Sequence, residues 1–202
     1  MNKKEYFNKM ADNWEAQFTS QEMLFLNLAP KFGLKEGQRI LDVGTGTGIL
    51  IPFLLKEVGP SGHITAIDYA EKMISTCERK FGSNPNITFK VDDIEASSLP
   101  SSHFDAVVCF GLFPHLEHKD QALSQLNRVL RVAGKLIIAH ALSSSEIQTR
   151  HESLSSIVAS DVMPTKRQMK QRLKMAGFGK IQLEDKPALY LCISTELKKV
   201  TG

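Results

Sequence analysis

Residues 44–48 read Gly-Thr-Gly-Thr-Gly and follow directly on the apolar run Ile40-Leu41-Asp42-Val43. A strand that turns into a helix through Gly44, Gly46 and Gly48 sets bare backbone over the carboxyl edge of a sheet, where open α/β folds bind their ligands. Side chains at those positions would block the approach. Asp68 lies 20 residues beyond Gly48, where a carboxylate accepts two hydrogen bonds from vicinal ribose hydroxyls. The same residue suits the cap of a helix starting near Ala70. Tyr69 offers a face to an adenine, or packs as an ordinary half-buried aromatic. Asp92-Asp93-Ile94 adds a carboxylate for an adenine amino group and an apolar side chain beneath the ring, with Asp93 the better placed of the two acids. Two phosphate-binding patterns are excluded. A GxGxxG turn needs glycine where Ile49 stands, and no Gly-Lys-Ser/Thr follows at Walker A spacing.

His115, His140 and His151 form a second group. An imidazole titrates near neutrality and suits a general base that strips a proton from a hydroxyl, a thiol or an acidic carbon. Three imidazoles meeting at one point would instead hold a metal ion. A lone histidine is more often structural; these three gain weight because each follows a strand on the side where a substrate would lie.

The elements that must position these residues alternate short apolar runs with longer amphipathic stretches, the pattern of a parallel sheet with crossover helices. Strands are expected over 39–43, 63–67, 87–91, 104–110 and 135–139. Helices are expected over 49–58, 70–81 and 117–132. Beyond Ala141 come a helical stretch over 144–160, a break at Met163-Pro164-Thr165 and a helix over 166–176. Two last strands, 179–184 and 188–196, are joined by a connection of hairpin length through Asp185-Lys186-Pro187 and should pair antiparallel. Residues 1–38 are helical, with Tyr6, Phe7, Trp14 and Phe18, and read as a lid before the core at 39–140; residues 141–202 supply substrate-side helices and the hairpin. Trp14, Phe18 and the methionines Met163, Met169 and Met175 could wall a small organic acceptor, although ordinary core packing is the better explanation of the methionines.

Composition bounds the alternatives. With 202 residues, 42% of them hydrophobic, the chain can bury one sizeable core. A balance of 25 basic to 22 acidic side chains, with Lys198-Lys199 the one late cluster, does not point to nucleic acid. Cys77, Cys109 and Cys192 are odd in number and lack CxxC spacing, as expected of buried thiols in a reducing, cytoplasmic setting. No window approaches a membrane span.

Five segments together carry a resemblance: LDVGTGTG, AIDYAEKMI, VDDIE, FDAVVCFGLFPHL and LNRVLRVAGKLIIAH. The chain resembles the class I S-adenosylmethionine-dependent methyltransferases over about residues 36–140, particularly the small-molecule group with the quinone-biosynthesis C-methyltransferases. It departs at Val132-Ala133, where that group has proline and glycine. The resemblance implies a Rossmann-like doubly wound α/β sheet of seven strands, order 3-2-1-4-5-7-6, mostly parallel with an antiparallel last strand. It implies S-adenosyl-L-methionine as cofactor and S-adenosyl-L-homocysteine as product. Carried over, it sets Gly44, Thr45 and Gly46 against the methionine moiety, Asp68 against the ribose, Tyr69, Asp93 and Ile94 against the adenine, and Phe110 beside the cofactor. Asp42, Gly48 and Met73 complete the set.

Transfer from a sulfonium is an in-line displacement with a donor already activated, so positioning and exclusion of water dominate and a base is optional. His115 and His140 are the candidate bases. Cys109-Phe110-Gly111-Leu112 lacks the Asn/Asp-Pro-Pro-aromatic element of nucleic-acid amino methylation, and there is no Pro-Cys nucleophile, so a small-molecule acceptor is expected of a monomer or homodimer. The competing expectations are a non-catalytic S-adenosylmethionine-binding regulator and, weakened by Ile49, a nicotinamide dehydrogenase.

Overall fold

Seven apolar runs become seven strands of one sheet, in the order β3-β2-β1-β4-β5-β7-β6. They are β1 (Arg39–Val43), β2 (His63–Asp68), β3 (Ile87–Val91), β4 (Phe104–Phe110), β5 (Leu130–His140), β6 (Phe178–Lys186) and β7 (Leu189–Glu196). The computed structural model describes residues 1–14 and 22–197, so the expectations for Phe18 and Lys198-Lys199 lie outside the described residues. Two compact units are present, Met1–Asp93 and the residues from Ile94 onward.

In the first unit β1 pairs parallel with β2, and β2 parallel with β3. Ile40, Leu41, Ile64 and Ile67 are fully buried, each worth about 1.5–3 kcal/mol of transfer out of water. The crossover helices are α3 (Ile51–Val58) and α4 (Glu71–Phe81). Helix α3 starts two residues later than the periodicity suggests, because Leu50 is its cap and Pro52 sits in its first turn. Ahead of β1 come α1 (Lys3–Met10), a 3-10 turn to Asn13, α2 (Glu22–Leu28) and a second 3-10 turn to Phe32. An Asn2–Glu5 capping box opens α1. Helix α1 is pinned to the start of α4: Asn8 accepts from the Lys72 amide at 2.9 Å and donates to Glu71 at 3.0 Å, and Lys4 pairs with Glu71. Those two contacts hold the exposed Glu71 carboxyl down to about 2.

In the second unit β4 is buried almost throughout and pairs parallel with β5, while β7 pairs antiparallel with β5 and β6. Helix α5 (Lys119–Val129) ends three residues earlier than expected, and β5 begins at once with Leu130 rather than at Lys135. The reason is tertiary. Arg128 donates to the carbonyls of Ser97 and Leu99, Arg131 pairs with Asp105 at 2.9 Å, and Leu130 adopts extended backbone beside Phe104. Glu95 receives the amides of Glu117 and His118 just ahead of α5. Helices α6 (Ser144–Ser153) and α7 (Lys166–Met175) each open with a capping box, Ser143–Glu146 and Thr165–Gln168. Helix α6 stops seven residues short of the expected Ser160 because Leu154 leaves the helical region. The methionines do not share a wall: Met169 is core and Met175 is 79% exposed.

Candidate functional site

The turn after β1 takes its shape from three glycines in the left-handed region, with φ of 69° at Gly44, 56° at Gly46 and 84° at Gly48. Its amides are turned inward. The N–H groups of Gly44 and Thr45 both donate to the Ile67 carbonyl, at 2.8 and 3.0 Å, and the Gly46 N–H donates to Asp68 Oδ2 at 3.0 Å. A phosphate loop does the opposite, aiming its amides outward at an anion.

Two buried carboxylates sit with this loop. Asp42, 2% exposed, accepts from Thr45 Oγ1 at 2.7 Å, and desolvation raises its pKa to about 7. Asp68, 8% exposed, accepts from Gly46 through one oxygen and from the Ala70 amide, at 2.9 Å, through the other, so it does serve the start of α4; burial raises it to about 6. The Tyr69 amide is a third backbone donor to the Asp68 carboxylate, whose two oxygens offer about four acceptor positions.

The glycines differ in role. A Cβ on Gly46 would stand 3.2 Å from Trp14 Nε1 and 3.9 Å from Met73 Sδ, so the turn lies beside the Trp14 indole and a buried methionine. A Cβ on Gly48 would fall 2.6 Å from Cys77 Sγ and 2.8 Å from Phe81, so glycine is needed there to let α4 approach. Tyr69 lies 6.2 Å, ring to ring, from Phe7 of α1. Asp92 is ion-paired with Lys90 at 2.7 Å, while Asp93 beside it is exposed.

In the second unit Ile94 is buried at the start of a 3-10 turn. Phe110 ends β4, and a Cβ on the following Gly111 would meet nothing within 4 Å, leaving open space at the carboxyl end of that strand. His115 Nδ1 lies 2.8 Å from Asp161 Oδ2, and His151 Nδ1 lies 2.5 Å from the Asp161 carbonyl oxygen. The two imidazoles are 4.8 Å apart, centre to centre. His140, at the end of β5, has its ring 6.2 Å from that of Phe110, and its Nδ1 is buried with no hydrogen-bond partner among the described residues. Burial, reinforced by His115, His151 and Arg150, pushes its pKa to about 3. Among the described residues no three His, Cys, Asp or Glu side chains are arranged to hold a metal ion, so the three-histidine metal set is not assembled. Asp161 escaped sequence reasoning: it sits in an irregular stretch far from His115 and carries no spacing signal.

This is the sheet order and glycine turn of a class I methyltransferase fold. Residues 40–134 match a family model described as a methyltransferase domain. The ubiquinone/menaquinone biosynthesis C-methyltransferase of Pseudomonas paraeruginosa is 36% identical over 110 residues, 52% of this chain and 43% of that protein. The match thus spans less than half the length of that relative. Among solved structures, an S-adenosylmethionine-dependent methyltransferase from Aquifex aeolicus superposes with a TM-score of 0.72 at 22% identity, covering 98% of this chain and 100% of the other. Phosphoethanolamine N-methyltransferase 2 of Haemonchus contortus, in complex with S-adenosylmethionine, superposes at 0.78 with 16% identity, covering 95% and 57%. Residues 40–134 are thus similar to methyltransferase domains, and the fold is that of the class I S-adenosylmethionine-dependent methyltransferases. Among the described residues no helix is long and apolar enough to cross a membrane.

Proposed function

We propose that this protein transfers the methyl group of S-adenosylmethionine to a small organic acceptor. The observation that carries the reading is the polarity of the glycine turn. Its first three amides are consumed internally, and Asp42 and Asp68 lie buried with it, so the site favours a cationic ligand over a phosphate. S-adenosylmethionine brings a sulfonium and an ammonium, and it supplies an activated methyl group when bound.

In this reading Gly44, Thr45 and Gly46 flank the methionine moiety, with Asp42 bracing Thr45 and Met73 below. Asp68 turns the acceptor capacity left by its backbone donors to the ribose hydroxyls. Tyr69, Asp93 and Ile94 attend the adenine, and Phe110 borders the transferred methyl. Gly48 acts through packing against Cys77 and Phe81. Of the two candidate bases His115 is favoured, since burial holds His140 down to about 3, where the imidazole takes up a proton too weakly to serve as a base near neutral pH. The absent amino-methylation signature and the modest net charge of +3 support a small acceptor over a polynucleotide. Three free, buried thiols suit a reducing compartment.

The test is calorimetry with S-adenosylhomocysteine. Asp68→Ala should weaken binding by about 10–100-fold, the worth of one or two hydrogen bonds to a charged group, and Asp68→Asn, whose single amide oxygen can keep the bond to Gly46 or to Ala70 but not both, should also weaken it. Equal affinity in Asp68→Ala would sink the assignment. Binding without S-adenosylhomocysteine production across an acceptor panel would favour the non-catalytic alternative.

A further inference from the structure

We propose that the outer face of α7 docks on an anionic lipid bilayer, with Lys166, Arg167, Lys170 and Lys174 among the headgroups and Met175 at the edge of the contact. This goes beyond the methyl-transfer reading and does not depend on it.

The charges of α7 work against the helix that carries them. Its 10 residues hold five cations and no acid, and no Asp or Glu occurs between Asp161 and Glu184. A chain of net charge +3 would be net negative without this helix. Lys166 and Arg167 stand in the first turn, where the macrodipole disfavours cations. Lys166, Lys170 and Lys174 follow at i, i+4 and i+8, a spacing at which like charges repel along a helix. Packing uses Met169 and Leu173, the two buried residues, so the fold itself does not call for this charge. Arg172 pairs with Asp120 of α5. Among the described residues the other four cations have no carboxylate partner, and Lys166 donates to the Asp185 carbonyl at 3.4 Å.

The composition of the face selects the partner. Lys166, Arg167, Lys170, Gln171, Lys174 and Met175 are exposed and line one open groove of about 590 Å3 along the helix. A small-molecule site is concave and encloses its ligand, whereas every residue of this groove comes from one helix face. Protein partners anchor on aromatic and arginine side chains and avoid lysine, and nucleic-acid sites add stacking aromatics or bidentate arginines. The groove holds no aromatic residue and three lysines to one arginine. Lysine is a flexible point charge, suited to a mobile plane of anionic headgroups. Each Lys or Arg near such a surface strengthens association by about five-fold, so four acting together give about a several-hundred-fold preference for anionic over neutral lipid. Met175, 79% exposed, adds an apolar side chain that can enter the boundary with the acyl chains.

The experiment mixes the full chain with extruded vesicles, either phosphatidylcholine alone or equal parts phosphatidylcholine and phosphatidylserine, and separates bound protein by sedimentation. Wild type is expected to bind the phosphatidylserine vesicles and not the others. It should be released as salt rises from about 0.1 M to about 1 M, where the Debye length falls from about 10 Å to about 3 Å. Lys170→Gln combined with Lys174→Gln, both at exposed positions and both compatible with a helix, should weaken binding by about 20–30-fold. Lys9→Gln combined with Lys56→Gln removes the same charge from exposed positions on α1 and α3, and should change binding by less than about three-fold. Both double variants should bind S-adenosylhomocysteine in calorimetry as wild type does. A chain that binds vesicles but not that ligand would sink the methyl-transfer reading alone. Equal weakening by the two double variants, equal binding to phosphatidylcholine alone, or no binding to the phosphatidylserine vesicles would overturn the proposal. Tighter capture of a single-stranded oligodeoxynucleotide, or of poly-L-glutamate, than of the vesicles at equal charge concentration would also overturn it, and would assign the face to a nucleic acid or to an acidic protein.

Discussion

The indole of Trp14 lies beside Gly46: a Cβ added to that glycine would stand 3.2 Å from Nε1 and 3.7 Å from Cδ1. Helix α1, which leads to Trp14, is held by Asn8 and Lys4 on the first turn of α4. Trp14 is the one tryptophan in the chain, so its emission reports directly on the turn.

Saturating S-adenosylhomocysteine is expected to shift or quench that emission, and Asn8→Ala, which loosens α1, to weaken the ligand by a few-fold through the ordering it must then supply. Emission unmoved at full occupancy would place the ligand away from Gly46. Stopped-flow fluorescence and calorimetry on the same samples make the check.

Asp42 and Asp68 give the protein an unusual dependence on pH. Both carboxyls are raised in the folded state, to about 7 and about 6 from 3.8. The folded chain therefore holds more protons than the unfolded chain between about pH 4 and pH 7, and stability falls as pH rises through that window. For Asp42 the loss amounts to as much as about 4 kcal/mol, at 1.36 kcal/mol per pKa unit. Urea midpoints without cofactor should drop between pH 5 and pH 8, and Asp42→Asn should flatten the profile. A cationic cofactor favours the ionised carboxylates, so its binding near pH 6 should release protons, measured by calorimetry in buffers of different ionisation enthalpy.

Ala133 holds φ at 61° in β5, in the left-handed region that penalises a side chain by about 1–2 kcal/mol. Ala133→Gly should raise Tm by about 2–6 °C in a chain of this size, with cofactor affinity unchanged. The neighbour behaves oppositely: a Cβ on Gly134 would stand 2.9 Å from the Arg131 carbonyl, so Gly134→Ala should lower Tm. Differential scanning calorimetry decides both.

Much of the fold was legible because strands and turns are written in local pattern. The runs 39–43, 87–91 and 104–110 became β1, β3 and β4 with those bounds, since buried strands flanked by turn formers have little freedom to slide. The final hairpin was legible from the length of its connection, and it closes through Pro187 and Ala188, the latter at φ 59°. The end of α5 was not legible. Val132 continues the apolar helical face, and it took Arg128, Arg131 and Phe104 to turn the chain at Leu130.

The candidate site divides in the same way. By itself the sequence determined that Gly44, Gly46 and Gly48 form the turn after β1 with Asp68 at the end of the next strand, because those residues act through backbone conformation and spacing along neighbouring elements. Tertiary structure alone decided that Gly48 serves the approach of α4, that Trp14 lies beside Gly46, and that Asp161 contacts both His115 and His151. The physical reason is range: periodicity and turn chemistry encode contacts a few residues apart, while hydrogen bonds such as that of His115 with Asp161, 46 residues on, exist only once packing has brought the partners together.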